Sequence, residues 1–210
     1  MQEFVSLAGI IGALTIGALS PGPSFIIVAK LAISTSGANG LAASIGMGIG
    51  GVAFALAALL GLQAVLLAVP ALYVGLKLLG GLYLCYLGYR IFSGSRQALK
   101  VDGAGKCEQT PLYRSLLLGL ATQLGNPKTA IVYAGVFAAF LPDSFSILFA
   151  LTLLGVVFAI ETGWYAVVAL VLSSPGPRRA YLRSKTRVDR AASLFMVGLG
   201  LKLILSAHRA

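Results

Sequence analysis

Apolar residues in this chain fall into long runs separated by short polar stretches. The runs are Leu7 to Leu31, Leu41 to Val69, Leu72 to Phe92, Ser115 to Leu141, Phe145 to Leu172 and Ala191 to Ala207. A helix needs about 20 apolar residues to cross a hydrocarbon core, so the pattern predicts an all-α membrane protein with six transmembrane helices. The sixth run is the shortest and the second the longest, so tilt or a partly interfacial stretch is expected in both. Two runs are interrupted by a short polar residue followed by proline: Ser20-Pro21-Gly22-Pro23 in the first and Asn126-Pro127-Lys128 in the fourth. A helix that stops inside a bilayer exposes backbone groups that lipid cannot satisfy.

The polar stretch from Ser93 to Arg114 divides a single membrane domain, 1–210, into repeats at 1–92 and 115–210, with the loop 93–114 between them. Three helices per half is an odd number, so the second half enters the membrane from the opposite face and any repeat is inverted. Ser20-Pro21 and Asn126-Pro127 are 106 residues apart, and the helix starts near Leu41 and Phe145 are 104 apart. Ser-Pro-Gly-Pro recurs at 174–177, but there it runs into Arg178-Arg179 and is expected simply to end helix five. Ala42, Gly46 and Gly50 carry the small-xxx-small spacing that lets helices approach closely in lipid. Packing inside one bundle is the preferred account of that spacing, and a homodimer seam is left open.

Composition agrees with the pattern: 58% of residues are hydrophobic, 10% are charged, and the mean hydropathy is +0.93. Ordinary soluble chains are about a quarter charged. The net charge of +10 comes from basic clusters between helices three and four (Arg90, Arg96, Lys100, Lys106, Arg114) and between five and six (Arg178 to Arg190). With six spans these clusters share one side, which the positive-inside rule makes cytoplasmic, leaving both termini outside. They read as solvated loops, so nucleic acid is not an expected partner. The first apolar run lacks a basic leader, carries Glu3 ahead of it and exceeds a signal peptide's core, so it is expected to be retained. Cys85, Cys107 and His208 show no pairing or metal spacing. No paired carboxylates, nucleophile–base set or nucleotide-binding loop appears, so neither an enzyme nor a cofactor is expected.

The chemistry gathers at the two interruptions. Ser and Asn cap helices well and proline suits the first helical position, so Ser20 and Asn126 are expected to cap half-helices starting at Pro21 and Pro127. Their positive ends would suit an anion, and Gly22 would permit close backbone approach. A plain proline kink is the alternative for each break alone; paired breaks in corresponding halves point to a transporter's substrate site. Lys128 and Glu161 lie near the middle of their helices, where a charge costs about 2.5–3.5 kcal/mol on insertion scales. They are placed either to form a structural ion pair or to meet the carboxylate and ammonium of a zwitterion, with Glu161 free to carry a coupling proton. Trp164 and Tyr165, one turn beyond Glu161, supply an apolar or cation-binding wall or interfacial packing.

Four segments, Leu19 to Pro23, Gly37 to Gly51, Gly80 to Gly88 and Leu124 to Lys128, together resemble the lysine exporter (LysE/RhtB) family of bacterial amino-acid exporters along the whole chain. The resemblance implies an inner-membrane exporter of amino acids driven by the proton gradient. It carries Ser20, Pro21, Gly22, Pro23, Asn126, Pro127 and Lys128 over as pathway residues. Several relatives have a polar or acidic side chain early in helix two, where this chain has Gly46 to Gly51 and nothing ionisable. A small neutral amino acid such as threonine or homoserine is therefore expected rather than lysine or arginine. The rivals are a non-transporting scaffold, which would need no broken helices, and a metal-cation exporter, disfavoured by the lack of intramembrane His, Asp or a Cys pair.

Overall fold

A computed structural model describes residues 2–20, 22–68, 70–95, 110–173 and 175–207; Pro21, Arg96, Lys100, Lys106, Cys107 and His208 lie outside them. The described residues form eight α-helices: α1 (Gln2–Leu19), α2 (Pro23–Ser34), α3 (Gly37–Ala68), α4 (Pro70–Gly94), α5 (Leu112–Leu124), α6 (Pro127–Phe140), α7 (Ile147–Ser173) and α8 (Pro175–Ala207). Six apolar runs become eight helices because the first is divided between α1 and α2 and the fourth between α5 and α6. Every second helix opens on a proline, at Pro23, Pro70, Pro127 and Pro175. Proline there gives up an N–H that would have had no partner, and its fixed φ suits the first turn. Among the described residues, Gln2–Leu19, Gly37–Gly61 and Ile147–Ser173 are long and apolar enough to cross a membrane.

Two expectations need correction. The basic stretch before the sixth run is not an open loop, because α8 carries Arg183, Arg187 and Arg190 on the same helix as the final apolar run. The second Ser-Pro-Gly-Pro therefore does more than end a helix: α7 stops at Ser173 and α8 starts at Pro175. Pro175 and Pro177 both fall in the first turn of α8, where a missing N–H costs no hydrogen bond.

Helix α3 packs along both α5 and α7, while α4 lies chiefly against α8. The α3–α5 contact is backbone on backbone. A Cβ at Gly46 would strike the Leu116 carbonyl oxygen, and one at Gly119 would strike the Ala43 carbonyl. The small-residue seam of α3 is thus used inside the bundle. Large apolar side chains point outward instead: Leu60, Leu79, Ile147, Leu148, Leu194 and Leu205 are each more than 70% exposed. Monomeric soluble proteins rarely tolerate such a surface; lipid tails are as apolar as leucine.

Two apolar clusters fill the interior. One gathers Ile10, Leu14, Val136, Phe137, Leu153 and Met196 from α1, α6, α7 and α8. The other gathers Phe25, Val28, Met47, Val168 and Leu172 from α2, α3 and α7. Helix α7 joins them through a buried stripe at every fourth residue: Phe149, Leu153, Val157, Glu161, Tyr165 and Ala169. That period places a carboxylate between two apolar masses.

Side-chain caps fasten the helix starts to one another. Ser36 Oγ accepts from the Asn39 N–H at 3.1 Å and donates to Asn39 Oδ1 at 2.6 Å, a reciprocal cap on α3. The Asn39 amide also donates to the Thr110 carbonyl and the Ser115 hydroxyl, each at 2.7 Å, tying α3 to the start of α5. At the start of α7 the Glu3 carboxylate accepts from the Ser146 N–H at 2.6 Å and the Ser146 hydroxyl at 3.1 Å, which anchors α1 there.

Candidate functional site

Only Gly125 and Asn126 separate α5 from α6. Asn126 has extended backbone, its Oδ1 accepts from the Lys128 N–H at 3.0 Å, and Pro127 takes the first helical position, so the residue forms the cap that its position predicts. The first break is built differently. Helix α2 begins at Pro23 with Gly22 as its cap residue and no side-chain cap. Ser20 is therefore not the cap expected of it; its hydroxyl is buried without a hydrogen-bond partner among the described residues. Its carbonyl is used instead, accepting from the Lys128 ammonium. Lys128, from the first turn of α6, thus closes the C-terminal end of α1, where free carbonyls and the negative end of the helix dipole favour a cation. The lysine stem passes over Gly22, where an added Cβ would lie 3.2 Å from Lys128 Cδ.

Glu161 is 4% exposed. Its carboxylate accepts from the Tyr133 hydroxyl at 2.9 Å and from Gln123 Nε2 at 3.0 Å. Gln123 Oε1 accepts from the Ser24 hydroxyl at 2.7 Å, and Ser24 Oγ accepts from Asn126 Nδ2 at 2.9 Å. One chain of hydrogen bonds therefore runs from the cap of α6 through α2 and α5 to the acid on α7. These bonds compensate for the cost of burying polar groups. With the ammonium on Ser20 and the carboxylate on Tyr133 and Gln123, the direct Lys128–Glu161 ion pair is not formed.

Both charges instead line one small cavity. Lys128, Asn126, Glu161, Tyr133 and Tyr165 make its polar wall, and Leu14, Gly17, Ala18 and Val132 its apolar wall. Of Trp164 and Tyr165, the pair expected to supply either a wall or packing, Tyr165 lines the cavity and Trp164 is not among its lining residues. Trp164 lies one residue off the buried stripe of α7 and packs against the cluster of α2, α3 and α7, which is the packing alternative. Pro23 and Pro127 are exposed and act through the backbone they start.

Gln123, Ser24 and Tyr133 escaped the sequence reading. Gln123 had a signal: the buried residues of α5 are Ser115, Gly119 and Gln123, four apart, while Leu117, Leu118 and Leu124 face outward. A small or polar residue at every fourth position of an apolar run marks its inward face. The glycines of α3 then become intelligible. A Cβ at Gly50 would lie 2.7 Å from Gln123 Cβ, and one at Gly51 would lie 2.9 Å from both Glu161 Cγ and the Tyr133 hydroxyl. The stretch without ionisable groups is the space into which the network fits.

Asn126→Ala removes the cap of α6 and one link of the chain. It is expected to cost about 0.5–2 kcal/mol, read as earlier thermal unfolding in detergent. Asn126→Asp keeps the cap acceptor but cannot donate to Ser24, so it should restore stability only in part.

Residues 15–207 match the sequence profile of the family described as LysE type translocator. The threonine efflux protein of Escherichia coli (strain K12) is 32% identical over 189 residues, covering 90% of this chain and 92% of that protein. The threonine efflux protein of Salmonella typhi is 32% identical over 191 residues, with the same coverage. The leucine efflux protein of Enterobacter sp. (strain 638) is 32% identical over 137 residues, covering 64% of this chain and 63% of that protein. No solved structure matches the chain significantly. The matched span takes in both helix breaks, Lys128 and Glu161, and the match to the Escherichia coli threonine efflux protein covers 92% of that protein: the chain belongs to the LysE type translocator family.

Proposed function

We propose that the chain exports small neutral amino acids, such as threonine, homoserine or close analogues, across the bacterial inner membrane by proton-coupled alternating access. The observation that carries this is the cavity, whose wall holds the Lys128 amine and the Glu161 carboxyl group, each hydrogen-bonded to other partners rather than to one another. A zwitterionic amino acid presents the complementary pair. Its carboxylate competes with the Ser20 carbonyl for Lys128, close to the positive ends of α2 and α6, and its ammonium meets Glu161. Drawing Lys128 off Ser20 would free the end of α1, which links binding to movement at the break. Once the ammonium leaves, Glu161 is the group able to carry the coupling proton. The relatives named for threonine and leucine efflux support an amino-acid cargo.

The single membrane domain is read as six spans in two inverted repeats, 1–92 and 115–210. Gln2 and Leu112, Pro23 and Pro127, Gly37 and Ile147, and Pro70 and Pro175 begin corresponding helices at offsets of 110, 104, 110 and 105 residues, which supports the repeat. Basic segments face the cytoplasm and both termini the periplasm. One chain supplies the whole cavity wall, so the site requires no second copy. The test is efflux of a labelled amino-acid panel from cells expressing the chain, with and without a protonophore. Threonine-sized neutral amino acids should leave faster than from control cells, and the protonophore should remove the difference. Control-level efflux of the entire panel would refute the cargo assignment, and protonophore-insensitive efflux would refute the coupling.

A further inference from the structure

Gly17 and Val132 set the upper size of the exported side chain; we infer this from the way the cavity divides into a charged end and an apolar end, and it rests on the amino-acid reading of the site. Lys128 and Val132 are four residues apart on α6, so they share one face a turn apart. Lys128 lies at the break, and Val132 lies one turn further from it. On α1, Leu14 and Gly17 lie six and three residues before Ser20. A substrate whose carboxylate lies at Lys128 therefore carries its side chain toward Leu14, Gly17 and Val132.

That end of the cavity is closed by packing. Val132 is 4% exposed, Leu14 is 2% exposed, and Met196 behind them is fully buried. A Cβ at Gly17 would lie 3.1 Å from Val132 Cγ1 and 3.3 Å from Met196 Cε. The absent side chain at position 17 is thus what lets Val132 and Met196 pack against α1, and a methyl added there would press on the Val132 side chain that bounds this end of the cavity. An apolar pocket discriminates by size at about 10–200-fold per methylene, and threonine and valine have nearly the same size. Valine and threonine should accordingly both pass, and leucine should be disfavoured.

The experiment compares efflux ratios in cells loaded with alanine, threonine and leucine, for the parent chain and two variants that act in opposite directions. Val132→Ala should raise the leucine-to-alanine ratio by at least about tenfold, and Gly17→Ala should lower the threonine-to-alanine ratio by a similar factor. Leu14→Ala widens the same wall and replaces Val132→Ala if that variant does not accumulate in the membrane. Ratios that stay within about twofold of the parent in variants that still export alanine would overturn the assignment, as would shifts in the same direction. Failure of the cargo reading looks different: the parent chain would then export none of the three.

Discussion

Lys128→Ala and Glu161→Gln are each expected to abolish amino-acid efflux while the protein remains in the membrane. Lys128 supplies the cavity's ammonium and at the same time closes the end of α1 through the Ser20 carbonyl. Removing it leaves a substrate carboxylate with helix dipoles alone and leaves the α1 carbonyl without its donor. Glu161→Gln keeps the shape of the side chain and takes away its charge. The new amide oxygen can accept from Tyr133 or Gln123, but its NH₂ must then face the other donor, so the network is strained locally while the fold survives. Losing one partner of a desolvated charge pair costs about 2–5 kcal/mol, or roughly thirtyfold upward in affinity. The measurement is resistance of expressing cells to a toxic amino-acid load, normalised to membrane protein by immunoblot. Normal resistance in both variants would show that the cavity is not the path.

A second large effect is expected where α3 crosses α5. Gly119→Leu and Gly46→Leu each drive a side chain into the opposing backbone, since even a Cβ at either position would strike a carbonyl oxygen. Overpacking against movable side chains costs about 1–3 kcal/mol, and a backbone cannot turn aside as a side chain does. The helices must separate, and Gln123, on the same face of α5 one turn beyond Gly119, is pulled away from Glu161. Both variants should therefore lose efflux and monodisperse protein together. Gly12→Ala and Gly163→Ala are the controls: an added Cβ there meets nothing within 4 Å, and alanine in a helix interior is favoured over glycine by about 0.5–1 kcal/mol. Size-exclusion profiles in detergent after a heating series separate the two groups, and survival of the Gly119 variant would refute the tight crossing.

Much of this arrangement was legible in the residues, and the parts that were not share a cause. Helix breaks can be read from Asn126-Pro127 because capping and proline chemistry are local, acting over two or three residues. Ser20 misled because the same local rule applies to it, but Lys128, 108 positions away, takes its carbonyl and the cap passes to Gly22. The charged pair was legible as two buried charges but not as two charges held apart, since their separation depends on Tyr133 and Gln123 arriving from other helices. Trp164 and Tyr165 are both a turn from Glu161, and only the four-residue period of the whole of α7 tells which one faces inward. The basic half of α8 was read as loop because charge density resembles solvated sequence, yet Pro175 opens a helix that runs unbroken to Ala207.

The chain of hydrogen bonds from Asn126 to Glu161 has a sense of direction. At one end a backbone N–H, that of Lys128, can only donate; at the other the Glu161 carboxylate, when ionised, can only accept. Between such ends there is a single way to orient two amides and a hydroxyl, oxygen toward α6 and hydrogen toward α7, and the distances follow it at every link. The aligned dipoles polarise one another and present their positive ends to Glu161 in place of a counter-ion. A proton arriving on that acid would remove the fixed acceptor and let the Gln123 amide reverse, while the Lys128 N–H would still hold the Asn126 oxygen at the cap. In this way a protonation event on α7 would be felt as far as the Ser24 hydroxyl in the first turn of α2.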